Sequence, residues 1–341
     1  MKRFFYATTF ILSMFILFSC SNNKYKSKRN LTVAFYNVEN LFDLEDEPGK
    51  KDEEFMPESE KNWNADRYSK KLEDLSRVLK SINENELPEI IGLCEVENKK
   101  VLVDLVNSEN LANGKYIIVH YESPDFRGID CALIYRPEEF KVINSFPIKV
   151  NFKNEPNYFT RDILYVKGKT RNREEFHVFV NHWPSRIGGT EKTEAKRIEV
   201  ATILKNKIDS IQETKASAKI IVLGDMNDEP SNKSLAETLM AQKPEVTNAN
   251  FVNLMYPIHA NKKGSYLYRG NWNMLDNMVV SSNLLDKKGF QCTDKKGFFF
   301  HKEWMEFKNK DGQISPNRTY GGPNYYGGIS DHFPVYFTLT R

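Results

Sequence analysis

The 341-residue sequence has no marked excess of either charge: 49 Lys and Arg stand against 46 Asp and Glu, a formal net charge of +3. Removing Lys2 and Arg3 with an N-terminal signal leaves 47 against 46. A chain that holds long polyanions by charge alone is more basic, so any contact with nucleic acid is confined to a local site. Cysteine is scarce as well, at four residues. With Cys20 in the signal region, Cys94, Cys131 and Cys292 remain, an odd number that favours buried free thiols, although Cys94 and Cys131 leave one bridge open. Internal repeats and long linkers are absent, which leaves one large α/β or α+β unit. What is present is a hydrophobic fraction of 40% with 13% aromatic residues, ample for a sizeable core.

The first twenty residues are a separate object. Lys2 and Arg3 precede an apolar run from Phe4 to Phe18, followed by Ser19 and Cys20, the order of a secretory signal. Leu17-Phe-Ser-Cys20 resembles a bacterial lipobox, in which the cysteine becomes the acylated first residue of the mature chain. Expected are a lipoprotein signal peptide over 1–20, a flexible tether over 21–30, a catalytic domain over 31–341, and export to a bacterial membrane, held through lipid on Cys20. An uncleaved anchor is the alternative, but the run is short for a span.

Four apolar runs share a design: each has the length of a buried strand and adjoins an acid, amide or imidazole. Ile90 to Glu97 carries Glu95, Phe176 to His182 carries His182, Lys219 to Asp228 carries Asp225 and Asn227, and Ser330 to Pro334 places Asp331 and His332 before the closing strand Val335 to Leu339. Leu31 to Asn37 ends on Asn37, and Leu275 to Ser281 starts with Asp276. A strand is dry along its length and opens to solvent at its end, so groups placed there keep access to water on a rigid support. Several such ends on one rim would hold a hard divalent cation through oxygen beside a histidine acting as acid or base.

Between these strands the spacing predicts helices over Ala65 to Asn83, Lys99 to Asn107 and Thr190 to Gln212, and another opening at Ser231. Strands are expected over Tyr116 to Tyr121, Lys141 to Val150 and Phe159 to Lys167, the last carrying Arg161. Asp43 to Trp63 reads as a solvated surface loop and Asn309 to Gly328 as a long substrate-facing loop. Asp130 enters its strand where an apolar or neutral residue is the norm, and His182 is its natural partner, although a turn-capping Asp is equally consistent. His120, His177, His259 and His301 lack recurring acid company and are read as structural or exposed.

In order along the chain, Tyr36-Asn37, Cys94-Glu95, Arg127-Gly-Ile-Asp130, Asn181-His182-Trp183, Gly224-Asp-Met-Asn227, Leu275-Asp276 and Ser330-Asp-His332 resemble the motif series of the endonuclease/exonuclease/phosphatase superfamily, from about Leu31 to the C-terminus. The resemblance implies a four-layer α/β sandwich, two mixed β-sheets packed face to face with helices on both outer faces, and Mg²⁺- or Mn²⁺-dependent hydrolysis of phosphate esters. It implies Glu95 as principal metal carboxylate, with Asn37 nearby and Asp331 joining the metal or a second site. Asp225 and Asn227 would orient water and phosphate, His332 held by Asp276 would bind a phosphoryl oxygen or take a proton, and His182 with Asp130 would form the second His–acid pair of the pancreatic-deoxyribonuclease branch. Which imidazole is the base stays open.

Arg127, Arg161 and Arg186 are the candidate phosphate contacts, because a guanidinium offers an oxyanion a planar fork of donors. The expected chemistry is in-line attack by an activated water without a covalent enzyme intermediate, by a monomer, on nucleic acid or a nucleotide diester. A phosphatase or phospholipase acting on phosphoinositide or sphingomyelin head groups, and a catalytically silent binding lipoprotein, are the alternatives.

Overall fold

The computed structural model describes residue 1 and residues 30–341, other than 84 and 287. The signal, the lipobox cysteine and nearly all of the tether lie outside the described residues.

Along the chain the elements are β1 (Asn30–Leu41), α1 (Ala65–Ser81), β2 (Ile90–Val96), α2 (Lys99–Val106), β3 (Ile117–His120), β4 (Asp130–Tyr135), β5 (Phe140–Ile148), β6 (Ile163–Thr170), β7 (Glu175–His182), α3 (Thr190–Thr214) and β8 (Lys219–Asp225). They continue with β9 (Ala241–Gln242), β10 (Phe251–Asn253), α4 (Tyr256–Ala260), β11 (Tyr266–Tyr268), β12 (Asn271–Asn273), β13 (Asp276–Ser281) and β14 (Phe298–Phe299). The last are β15 (Glu306–Lys308), β16 (Ile314–Pro316), β17 (Tyr320–Gly321), β18 (Asn324–Tyr325) and β19 (Val335–Thr340).

Two sheets carry the architecture, one in the order β14-β19-β1-β2-β4-β3 and one in the order β5-β6-β7-β8-β13-β10-β9. Both are mixed: β1 runs parallel to β2 and antiparallel to β19, and β7 runs parallel to β8 while β8 runs antiparallel to β13. The alternation of side chains along each strand makes the layers. From β1, Leu31, Val33 and Phe35 enter a core shared with Val178 and Val180 of β7 and Ile221 and Leu223 of β8. The intervening Ala34, Tyr36 and Val38 pack with Leu75, Val78 and Leu79 of α1 and Val101, Leu102 and Leu105 of α2. On the far side Ile220 and Val222 of β8 meet Val200, Leu204 and Ile208 of α3. Helix, sheet, sheet and helix are therefore the four layers of the sandwich. The contact between sheets is tight at Gly92, where an added Cβ would lie 2.2 Å from Leu223 Cδ1.

Several expectations change. The strand drawn from Phe159 starts only at Ile163, so Arg161 lies in the segment before β6. The helix expected at Ser231 is reduced to a π-helical turn, Ser234–Thr238. Asn309 to Gly328 is no open loop: it holds β16 and the hairpin β17–β18. The segment Asp43 to Trp63 is anchored by buried Phe55 and Trp63, with Phe55 stacked 4.2 Å from Phe42. Cys94 and Cys131 face each other across β2 and β4, and both are free buried thiols, as is Cys292.

Candidate active site

Because β1, β2, β7 and β8 end on one rim, Asn37, Glu95, His182 and Asp225 arrive together. Asn37 Nδ2 donates to Glu95 Oε1 at 3.3 Å and to Asp225 Oδ2 at 3.1 Å. His182 Nε2 is 3.7 Å from Glu95 Oε1 and 3.8 Å from Asp225 Oδ2. His332 Nε2 is also 3.8 Å from Asp225 Oδ2, and 4.0 Å from Asp331 Oδ1. Asp276 begins β13 directly opposite Asp225, and its Oδ2 lies 2.6 Å from His332 Nδ1. Ser265 Oγ donates to the same Asp276 oxygen, so that carboxylate is fixed from two sides.

The backbone is shaped to deliver these groups. Glu95, Asn227 and Asn40 all hold positive φ, at 62°, 49° and 55°. For residues with a Cβ that conformation costs energy, and it persists where the surroundings enforce it. Asn40 N donates to Glu95 Oε2 at 3.1 Å, and Asn227 N donates to Asp225 Oδ1 at 2.9 Å, so each strained residue sits in a local bond that orients a carboxylate. Gly224 is demanded by space and conformation: its φ is 155°, and a Cβ would lie 2.2 Å from the Asn181 carbonyl oxygen of β7.

The two imidazoles are in opposite electrostatic settings. Burial works against the charged form of His332, but Asp276, Asp225 and Asp331 outweigh it and hold its pKa well above the usual histidine value. His182 is pushed well below that value by burial, with Arg161, Arg127 and His332 adding to the effect. Its Nδ1 is buried without a hydrogen-bond partner. Burial, only partly opposed by His332, raises Asp225 to about 7.

Asp130 does not pair with His182. Its Oδ2 lies 3.0 Å from His120 Nε2, and its Oδ1 accepts from Ser123 N at 2.8 Å. Register explains the exchange: His120 on β3 is opposite Ala132 of β4, diagonal to Asp130 on the same sheet, whereas His182 belongs to the other sheet. His120 therefore does have acid company, Asp130 and Glu122, and His259 and His301 likewise meet Glu229 and Glu306. His177 meets the Tyr165 hydroxyl at 2.8 Å.

The arginines separate too. Arg161 is 6% exposed and donates to Asp125 Oδ2 at 3.0 Å and to the Trp183 carbonyl at 2.8 Å. Arg186 donates to the Asn227 carbonyl and to Asn273, Asp228 and Asn232. Both guanidinium groups tie loops together around the site instead of lying open to a substrate. Arg127 lines the mouth, a pocket of 480 Å³ that also includes Glu39, Asn40, Glu54, Glu60, Lys61, Glu95, Arg318, Tyr320 and Asp331.

Sequence reasoning missed Arg318, whose Nη2 is 3.2 Å from Asp331 Oδ2, and the buried Lys71. Lys71 has a sequence signal only in hindsight, as a cation on the apolar side of α1. Its Nζ donates to the carbonyls of Glu39 and Ile329 and to Thr319 Oγ1, while Glu39 accepts from the backbone of Thr319 and Tyr320. The ammonium thus pins the 317–329 segment, with Arg318, against the end of β1. Lys71→Met leaves two main-chain carbonyls and the Thr319 hydroxyl without their buried donor and removes the positive charge that favours the ionised Glu39, and is expected to lower the unfolding free energy by about 3 kcal/mol. Urea denaturation monitored by circular dichroism checks this.

The donor set suits a hard cation. Glu95, Asp225 and Asp331 bring hard carboxylate oxygens to one rim, and ligand atoms of Asp225, Asp276 and His332 lie within 4.8 Å of one another. The Asn37 amide oxygen, expected near the metal, instead accepts from Glu39 N at 3.0 Å and turns Nδ2 toward Glu95 and Asp225. Asp276 engages His332 and Ser265 through Oδ2 and leaves its buried Oδ1 without a hydrogen-bond partner.

The sequence matches the Endonuclease/Exonuclease/phosphatase family over residues 32–341, and the chain belongs to that family. No curated protein matches it. Among solved structures it is similar to an endonuclease/exonuclease/phosphatase family protein from Bacteroides thetaiotaomicron, with 17% identity, TM-score 0.56, 91% of this chain and 97% of that one covered. It is similar also to D. rerio TDP2 complexed with single strand DNA product, with 14% identity, TM-score 0.57, and 92% and 99% covered. A third is a mannosyl-6-phosphatase from Bacteroides thetaiotaomicron, with 17% identity, TM-score 0.56, and 91% and 100% covered. These likenesses establish the shared fold.

Proposed function

We propose that this chain is a divalent-metal-dependent phosphodiesterase that hydrolyses nucleic acid or nucleotide diesters. One observation carries the reading: a single carboxylate oxygen, Asp225 Oδ2, is 3.8 Å from both His182 Nε2 and His332 Nε2 and 3.1 Å from the Asn37 amide that touches Glu95. Five separate chain segments place two acids, two imidazoles and an amide around a space fit for a phosphorus centre. The DNA product bound to D. rerio TDP2 supports a nucleic-acid substrate for this shared fold.

Glu95, Asp225 and Asp331 would hold Mg²⁺ or Mn²⁺, which when bound neutralises phosphate charge and makes water more acidic. Asp225 orients the attacking water, with Asn227 fixed beside it. Protonated His332, steadied by Asp276, donates to a phosphoryl oxygen, and neutral His182 faces the same space from β7. Arg127 and Arg318 meet the substrate at the mouth. Export and lipid attachment through Cys20 complete the proposal, supported by the charge, apolar run and cysteine of residues 1–20.

The purified protein is expected to cleave bis-p-nitrophenyl phosphate and single-stranded DNA with Mg²⁺ or Mn²⁺ and to lose that activity in EDTA. Turnover of monoesters alone would replace this reading with a phosphatase, and no turnover of any ester would replace it with a binding protein.

A further inference from the structure

The hairpin β11–β12 stands beside the site without a role in the chemistry above. Its register pairs Tyr266 with Asn273 and Tyr268 with Asn271, leaving Arg269 and Gly270 as a two-residue turn with φ of 48° and 82°. Positive φ at both turn residues is the geometry whose twist matches that of paired strands, so the hairpin is locally rigid. It is also fastened at several points. Gln313 Nε2 donates to the Gly270 carbonyl at 3.1 Å, Arg186 Nη1 donates to Asn273 Oδ1 at 3.2 Å, and Tyr266 forms a backbone bridge with His332. Trp272 stacks 5.9 Å from Phe333, which anchors β12.

Tyr266 and Tyr268, two residues apart, share the other side of the strand. The Tyr266 ring is 4.8 Å from the His332 ring at an interplanar angle of 28°, and Tyr268 follows 6.4 Å further at 12°. Near-parallel rings thus run from the imidazole at the phosphate position out to solvent, where Tyr268 is 53% exposed. Arg318, the mouth arginine paired with Asp331, lies near the Tyr266 hydroxyl, so the strip adjoins the arginine at the mouth.

We propose that the Tyr266–Tyr268 strip is a stacking subsite for one unpaired nucleobase flanking the phosphate that is cleaved. The inference rests on the phosphodiesterase reading and narrows its substrate to single strands, chain ends or mononucleotide esters. Every base offers a π face, whereas bases inside a duplex already stack on their neighbours and cannot lie on a tyrosine without being pulled out. The near-neutral charge of the chain and Glu54 and Glu60 at the mouth give a long duplex no basic track to follow, so grip must come from a short contact.

The test uses the full chain, wild type, Tyr268→Ala and Tyr268→Phe, on p-nitrophenyl thymidine 5′-phosphate and its abasic counterpart. Wild type and Tyr268→Phe should prefer the base-bearing ester. Tyr268→Ala should lower kcat/KM on it about tenfold to hundredfold more than on the abasic ester. Equal losses on both esters, or a preference that survives in Tyr268→Ala, would overturn the assignment. If wild type hydrolyses neither ester, the phosphodiesterase reading fails on its own, and equilibrium dialysis of thymidine 5′-monophosphate against deoxyribose 5-phosphate decides the subsite. A base preference in binding that Tyr268→Ala removes upholds it, and no preference overturns it. A preference for mannose 6-phosphate over glycerol 3-phosphate that depends on Tyr268 would assign the strip to a sugar ring and overturn the nucleobase.

Discussion

His332→Ala is expected to lower kcat/KM for diester hydrolysis by about 10³-fold, the scale of losing a positioned proton donor in contact with the reacting group. His332 is the imidazole held in its charged form, with its Nδ1 on Asp276 and its Nε2 toward Asp225. Asp276→Asn keeps the shape and removes the charge that raises the imidazole pKa. Its effect should be smaller, about 10- to 100-fold, as for other groups that orient a functional residue. With His332 donating as proposed, the sign of the pH effect follows: activity falls as pH rises through the His332 pKa, and loss of Asp276 lowers that pKa. The alkaline limb of kcat/KM must therefore move to lower pH in Asp276→Asn. A His332→Ala enzyme within tenfold of wild type, or a limb that moves upward, would remove His332 from the reaction.

The second large effect concerns the oxygen ligands. Asp225→Ala should cost about 10³-fold in kcat, since it removes both the water-orienting group and a cation ligand. Glu95→Gln keeps the hydrogen bond from Asn37 but loses the ligand charge. It should raise the Mg²⁺ or Mn²⁺ concentration for half-maximal rate by about tenfold to hundredfold. Saturating metal should recover activity in Glu95→Gln and leave Asp225→Ala inactive. Metal titration of the steady-state rate reads both, and an unshifted midpoint in Glu95→Gln would exclude Glu95 as a ligand.

Legibility in the sequence followed locality. The central strands could be read because an apolar run broken by a polar residue is a signal contained within a few positions: Lys219 to Asp228 shows both β8 and Asp225, whereas their stacking into a four-layer sandwich was implied only by the ordered motif resemblance. Asp276 and His332 were legible for the same reason, each standing at one end of a strand. The partner of Asp130 was not, because it depends on which strands are neighbours, and β3 beside β4 gave it His120. Arg161 failed through burial: nothing local says that Asp125 will neutralise it. Lys71 was invisible because its partners Thr319 and Ile329 lie 248 and 258 residues away in the chain, and Arg318 because its place at the mouth depends on that same anchoring of its segment to the end of β1.

The left-handed backbone at Asn40, Glu95 and Asn227 has a consequence for how this chain can change. At each position glycine would relax the main chain, and at each it would delete an amide or carboxylate from the rim. Stability and site chemistry thus pull those three positions in opposite directions, and a glycine that relaxes the fold there empties the rim.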